Sequence, residues 1–284
     1  MLPGSQYESE KDRMKYKIKT KFRPIFGAYG IYDGQKVFET EESIRATKDM
    51  SERELEGFKI LHWLIYFCWN TGIFKPILFF MKQNAVNPAK VLYKLLSTNH
   101  PLLIEMFSEM KKSSLAEWFE TKEDMIQYYN QQENFNKLIN NFTKLNALWV
   151  ANVYHNSEII LVLLNEIARL TNIEIDIESY EFQDAWIDLL KIVDRLLCRD
   201  LLQQEFFLRE TYNGKALSCV LCDNNLATKK TIEVEIFRTK EDVAFCHKHL
   251  CQNGISDLSL KNITRFLEIG GMEKLTNRIK TAYS

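Results

Sequence analysis

Six residues in two short clusters carry the clearest chemistry in this sequence: Cys219-Val220-Leu221-Cys222, and downstream Cys246-His247-Lys248-His249-Leu250-Cys251. Four of the six cysteines and two of the five histidines fall here. Two pairs of soft ligands, each pair separated by two residues, have the spacing of metal knuckles, in which one turn of chain chelates one ion. Cys219, Cys222, Cys246 and His249 are therefore expected to hold a tetrahedral zinc, with His247 and Cys251 as substitute ligands. His249 repeats the spacing of the first pair, whereas an iron–sulfur cluster would need Cys251 in its place. Four protein ligands leave no open position, so such a zinc is structural rather than catalytic. The bland alternative is two clusters of reduced, metal-free thiols.

Nothing else in the sequence approaches this specificity. His62 stands in an apolar helical run and reads as a hydrogen-bonded core histidine. Cys68 and Cys198 sit in apolar stripes and read as buried thiols. No phosphate-binding loop, dinucleotide fingerprint or hydrolase elbow is present, and no catalytic residue is assigned.

The elements that must position the clusters follow from composition and pattern. The 284 residues are 46% hydrophobic and 12% aromatic, which is a globular composition with a sizeable core. With 37 basic and 38 acidic residues the net charge is −1, so no global field draws the chain to nucleic acid or an anionic membrane. Only 10 glycines and 5 prolines favour long helices with few tight turns. The clustered cysteines and an opening without a signal peptide point to a reducing, cytoplasmic location. The apolar run from Ile60 to Met81 is broken by Asn70, Thr71, Gly72, Lys75 and Pro76 into pieces too short to span a bilayer. It reads as a buried helix, a turn and a second buried helix.

Residues 1–50 are loop-rich and partly extended, with a hairpin expected over Tyr29–Phe38 around Asp33-Gly34. The basic run KDRMKYKIKTKFR reads as a solvated amphipathic segment rather than a nucleic-acid patch. From Met50 helices follow one another. Ser51-x-x-Glu54, Ser114-x-x-Glu117 and Thr121-x-x-Asp124 read as helix starts, and Asn87-Pro88 and Pro101 as others. Residues 142–170 form a long amphipathic stretch interrupted near Asn156-Ser157. Ile173–Ile177 reads as a short strand or linker, and Phe182–Leu208 as a further helix. Thr231–Phe237 alternates as a strand, with Asp242–Phe245 as its hairpin partner between the two ligand pairs. Lys229, Lys230, Arg238, Lys240 and Lys248 make that module mildly basic. Asn253-Gly254 turns the chain into a helix over Leu258–Ile269, and Met272–Tyr283 reads as a final amphipathic turn.

The opening segment also carries a family likeness. MLPGSQYESEKDRMKYKIKTKFR, then YGIYDG, then FETEESIRATKDMSERELEGFKILHWLIYFCWNTGIFKPIL resembles the late part of cobalamin-binding-domain radical SAM proteins. There a Leu-Pro-Gly-Ser/Thr segment and a basic stretch close the catalytic barrel before a helical region patterned like HWLI…N.GIF. The likeness covers roughly the first third of the chain. It implies that residues 1–50 are the tail of a barrel, with Pro3-Gly4 shaping it, and that the helices beyond are a C-terminal extension. Family members bind a 4Fe–4S cluster through a Cys-x3-Cys-x2-Cys loop and carry cobalamin on a separate domain. Neither feature is present, the first cysteine being Cys68. S-adenosylmethionine, the 4Fe–4S cluster and cobalamin are therefore expected only in the full-length family, and this chain alone is not expected to be catalytically competent.

The sequence thus predicts a mainly α fold, an irregular helical bundle with a small zinc-ribbon-like β-hairpin module near the C-terminus. Its expected segments are the barrel-like 1–50, a helical domain over 51–211, the zinc module over 212–254 and C-terminal helices over 255–284. Two functions follow. The first is a C-terminal fragment or accessory portion of a radical SAM enzyme, with the upstream radical SAM/cobalamin-binding polypeptide as partner. The second is a non-enzymatic zinc-ribbon helical protein that binds a macromolecule, a protein more readily than nucleic acid.

Overall fold

The three-dimensional structure is a computed structural model describing residues 6–141, 144–174 and 180–282. In chain order its elements are α1 (Glu10–Tyr16), β1 (Lys19–Tyr32), β2 (Gln35–Ala46), α2 (Glu52–Ile65), α3 (Lys75–Gln83), α4 (Pro88–Leu95), α5 (Pro101–Ala116), α6 (Lys122–Asn130), α7 (Gln132–Asn141) and α8 (Leu145–His155). Then come α9 (Ser157–Glu174), α10 (Tyr180–Leu196), β3 (Phe206–Asn213), α11 (Gly214–Leu221), β4 (Thr231–Arg238), α12 (Lys240–Leu250), β5 (Cys251–Gln252), β6 (Ile255–Ser256), α13 (Leu260–Glu268) and β7 (Arg278–Thr281). The fold is mainly α, as expected. Leu2-Pro3-Gly4-Ser5, and residues 175–177 of the expected strand or linker, lie outside the described residues; 173 and 174 end α9.

Two compact units divide the chain: Met1–Ile60 with Glu105–Leu145, and Leu61–Ile104 with Asn146–Ser284. In the first, β1 and β2 form a long antiparallel hairpin. Asp33 and Gly34 take φ of 51° and 75° at its turn, the left-handed pair that matches strand twist. The pairing is interrupted between Pro24 and Tyr29, where proline has no N–H to give and Gly27 adopts a φ of 76°. Phe22 and Phe119 exchange backbone hydrogen bonds at 2.9 and 2.8 Å, tying the strand to the α5–α6 connection. Rings of Phe38, Phe119, Tyr128, Tyr129 and Phe135 pack together behind it, with centroids 5.0–6.3 Å apart.

The helix starts follow local chemistry. Ser51 Oγ accepts from the Glu54 amide at 3.3 Å while Glu54 accepts from the Ser51 amide at 2.8 Å, so each satisfies an orphan donor of α2. Thr121 caps α6, and Asn87 caps α4 ahead of Pro88. Ser114, by contrast, is an interior residue of α5 and caps nothing.

In the second unit α2 passes into a π-helical turn, Tyr66–Asn70, and the chain then bends by 96° into α3. Trp63 stacks on Phe67 at 5.2 Å and Phe67 meets Phe74 edge-on at 5.8 Å, all three sealed from solvent. The apolar run is therefore core-facing on both sides of its break. Among the described residues no single helix is long and apolar enough to cross a membrane. The expected interruption at 156–157 separates α8 from α9, which meet at 99°.

Three expectations near the C-terminus are corrected. Helix α10 stops at Leu196, and 206–208 belong to strand β3, which pairs antiparallel with β4 from Phe206↔Arg238 to Asn213↔Thr231. The expected hairpin partner Asp242–Phe245 is helical, because Thr239 caps α12 through a full capping box with Asp242. Strand β4 instead lies between β3 and β7 in a three-stranded sheet. The last segment is likewise strand rather than helix: β7 supplies the third edge by pairing with Val234–Phe237.

Candidate functional site

Both cysteine clusters lie on helix ends in the second unit. Asn213 caps α11, and Gly214 begins it where no side chain fits: a Cβ there would stand 2.2 Å from the Lys229 carbonyl oxygen and 2.3 Å from that of Leu226. This close approach, with Asn213 pairing to Thr231, seats α11 against the start of β4. Cys219 is on the buried face of α11, and its thiol donates to Gln83 Oε1 at 3.0 Å. Cys222 terminates the helix with a φ of 55° and is exposed.

Cys246 faces inward from α12 and is sealed from solvent. Arg238, itself buried at the end of β4, donates through Nη2 to Cys246 Sγ at 3.1 Å and to the Leu201 carbonyl at 3.3 Å. Its Nη1 reaches the Lys274 carbonyl at 3.3 Å, while Nε is buried without a partner among the described residues. Beside it Asp242 accepts from Lys274 at 2.8 Å and from Arg278 at 2.9 and 2.8 Å. Burial would raise that carboxyl, but the hydrogen bonds from Arg278, Lys274 and Thr239 outweigh it and hold the group well below the usual carboxylate range.

Burial pushes three thiols of the second unit the other way. Cys198 is driven up to about 12, against the opposing charge of Arg238. Cys219 rises to about 11, and Cys246 rises too with Arg238 opposing. These are thiols held by protein partners, not exposed thiolates.

The second cluster divides by face. Cys246 points inward, and the His249 ring packs on Phe245 at 4.6 Å. His247 and Cys251, one helical turn apart, come together instead: Cys251 Sγ lies 3.7 Å from His247 Nδ1. The other imidazole nitrogen, Nε2, is buried without a hydrogen-bond partner among the described residues. Among the described residues no group of three or more His, Cys, Asp or Glu side chains is gathered so as to hold a metal. Of the expected ligands, Cys219 donates to Gln83, Cys246 accepts from Arg238, Cys222 is exposed and His249 packs on Phe245. His62, on α2, is exposed. Cys68, in the π-helical turn, is sealed, and burial raises its thiol.

A charge cluster in the first unit was not signalled by any motif. The Trp118 ring is approached by the guanidinium groups of Arg23 and Arg45, each 4.6 Å from its centroid, and by Lys59 Nζ at 5.2 Å. Arg45 is fully buried and paired with the equally buried Glu56. Lys59 donates to Ser114 Oγ at 3.0 Å and lies 3.3 Å from Glu56. Burial lowers the Lys59 pKa, with Glu56 opposing, and raises that of Glu117, with Arg23 and Lys59 opposing. A serine beside such a lysine has the elements of a nucleophile and its base. Here the lysine acts as donor to Ser114, and the hydroxyl is buried inside α5. The arrangement is a desolvated charge network that ties β1, β2, α2 and α5 to one aromatic ring. Its one sequence trace is the Glu56–Lys59 spacing on α2.

Compared with known proteins, the chain matches no family model and no curated protein.

Proposed function

We propose that this chain is the helical accessory portion of a radical SAM enzyme of the cobalamin-dependent type, working with a polypeptide that carries the cluster and cobalamin domains. One observation carries the reading: an ordered run of family-like segments, LPGS, YGIYDG and HWLIYFCWNTGIF, in a single stretch of sequence. Supporting it, Trp63, Phe67 and Phe74 from the last segment form a ring stack sealed from solvent. Those residues are thus of a kind that a shared helical core would require. The six cysteines of the given sequence include no Cys-x3-Cys-x2-Cys spacing of the kind that holds the family's catalytic cluster. The cluster, S-adenosylmethionine and cobalamin are assigned to the partner polypeptide, and no chemical step is assigned to this chain.

Co-expression with a polypeptide from the same genome that has a Cys-x3-Cys-x2-Cys loop and a cobalamin domain tests this. The two should co-elute as one complex, and reductive cleavage of S-adenosylmethionine should depend on the presence of this chain. Cleavage at the same rate without it, and separate elution, would refute the assignment.

A second reading, a non-enzymatic protein that binds a macromolecular partner, is favoured by the far end of the hairpin. Ile31, Tyr32 and Val37 are there 57%, 67% and 45% exposed. Capture of a stable partner unrelated to radical chemistry, lost on Tyr32→Ser with Val37→Ser, would select this reading over the first.

A further inference from the structure

The geometry points to His247 and Cys251 as a two-residue chelate for a borderline-soft divalent metal of the zinc class, with its remaining positions filled by water. This goes beyond the accessory role proposed above and does not depend on it. A metal bonded to sulfur at about 2.3 Å and to nitrogen at about 2.0 Å at a tetrahedral angle sets the two donor atoms about 3.5 Å apart. His247 Nδ1 and Cys251 Sγ stand 3.7 Å apart. A displacement of a few tenths of an ångström is enough to complete the bite.

Both ligands are on fixed backbone. His247 is in the last turn of α12, and Cys251 is the residue that ends it, its amide donating to the His247 carbonyl. Immediately beyond, Cys251 pairs with Ser256 across the tight Asn253–Gly254 turn, where φ is 52° and 78°. The chelate is thus preorganised by a helix on one side and a two-residue hairpin on the other.

The imidazole's burial selects the ligating nitrogen. Among the described residues Nε2 is buried without a hydrogen-bond partner, so Nδ1, which faces Cys251 Sγ, is the nitrogen left open to a metal. The neighbouring alternatives are already engaged: Cys246 by Arg238, Cys219 by Gln83, and His249 by stacking on Phe245. On binding, the Cys251 S–H bond breaks, a sulfur–metal bond forms, and the proton leaves to solvent; no electron is transferred.

The experiment is a Co²⁺ titration of the full chain, followed by its thiolate-to-metal charge-transfer band and then displaced with Zn²⁺. Wild type should take up one equivalent with a single-thiolate band. Cys251→Ser should abolish the band, and His247→Gln should weaken binding by at least about tenfold. Cys246→Ser and His249→Ala should bind as wild type does. Alkylation mapped by mass spectrometry gives a reading that needs no variant to fold: Zn²⁺ should protect Cys251 from iodoacetamide and leave the exposed Cys222 reactive. Absence of uptake overturns the proposal, as does a band that survives Cys251→Ser in a folded protein. Joint protection of Cys222 with Cys251, or loss of binding in Cys246→Ser, would equally overturn it in favour of a closed site.

Discussion

The guanidinium of Arg238 donates from Nη2 to Cys246 Sγ at 3.1 Å, in a place where both side chains are sealed from solvent. A strand end is thereby joined to the inner face of the following helix. The same cation satisfies the carbonyls of Leu201 and Lys274, so it fixes the α10–β3 connection and the approach to β7 as well.

Replacing Arg238 by Met keeps most of the volume and removes every donor. The Leu201 and Lys274 carbonyls lose their bonds, each worth about 1–3 kcal/mol when a buried group is left unsatisfied. The expected result is a loss of about 2–4 kcal/mol in urea-induced unfolding of the second unit, with the denaturant slope unchanged. A loss below about 0.5 kcal/mol would show that this cation is not a structural tie.

Asp242 gives a pH-dependent counterpart. Its folded carboxyl titrates below its unfolded value of 3.8, so its contribution is fully present above that value and is lost as pH falls through the folded pKa. Asp242→Asn removes that dependence, takes the negative charge away from Lys274 and Arg278, and turns one of their two accepting oxygens into a donor. About 3 kcal/mol of stability should disappear at pH 7, and the gap between variant and wild type should narrow as the solution is acidified below pH 3.8. Thermal melts of both proteins across that range measure it, and a constant gap would contradict the assignment.

Much of this architecture was legible locally. The Asp33-Gly34 turn, the Ser51 and Thr121 caps, the break at residues 156–157 and the strand at 231–238 all depend on chemistry within a few residues. Reading failed where a local pattern had two solutions and tertiary pairing chose between them. Asp242-Val243-Ala244-Phe245 alternates like a strand, yet Thr239 with Asp242 is also a capping box, and β4 already has β3 and β7 on its two edges. At the cysteine clusters the helix sets contacts that spacing alone does not show. Spacing from Cys246 to His249 copied that from Cys219 to Cys222, but a helix sets neighbours by turns, which joins His247 to Cys251 and turns Cys246 inward. Trp118 and its three cations left no pattern beyond the Glu56–Lys59 spacing, because they converge from distant parts of the sequence.

Gly214 offers a test of how α11 is seated. With the Leu226 and Lys229 carbonyl oxygens 2.3 and 2.2 Å from the place a Cβ would occupy, backbone must move to admit even a methyl group. Gly214→Ala is expected to cost about 1–3 kcal/mol, the range for overpacking a filled site. The Cys219 thiol, which gives its hydrogen bond to Gln83, should become more reactive toward alkylating agents as α11 shifts. Unchanged stability and unchanged Cys219 reactivity together would show that this contact does not position the helix.

The half-buried carboxyl of Glu117 makes the opposite pH statement from Asp242. Burial raises its folded pKa above the ordinary 4.5, despite the Arg23 guanidinium 3.1 Å away. A group shifted in this direction contributes stability that is fully present below its unfolded pKa and is lost as pH rises through the folded one. At neutral pH the charged carboxylate therefore weighs against the first unit. Glu117→Gln keeps the shape, can still accept from Arg23, and removes the charge that burial disfavours. The variant should be at least as stable as wild type at pH 7 and lose that relative advantage near pH 4, where the wild-type carboxyl is protonated. Paired thermal unfolding at the two pH values measures the crossing. A variant clearly less stable than wild type at pH 7 would mean that the attraction of Arg23 and Lys59, rather than desolvation, governs this site.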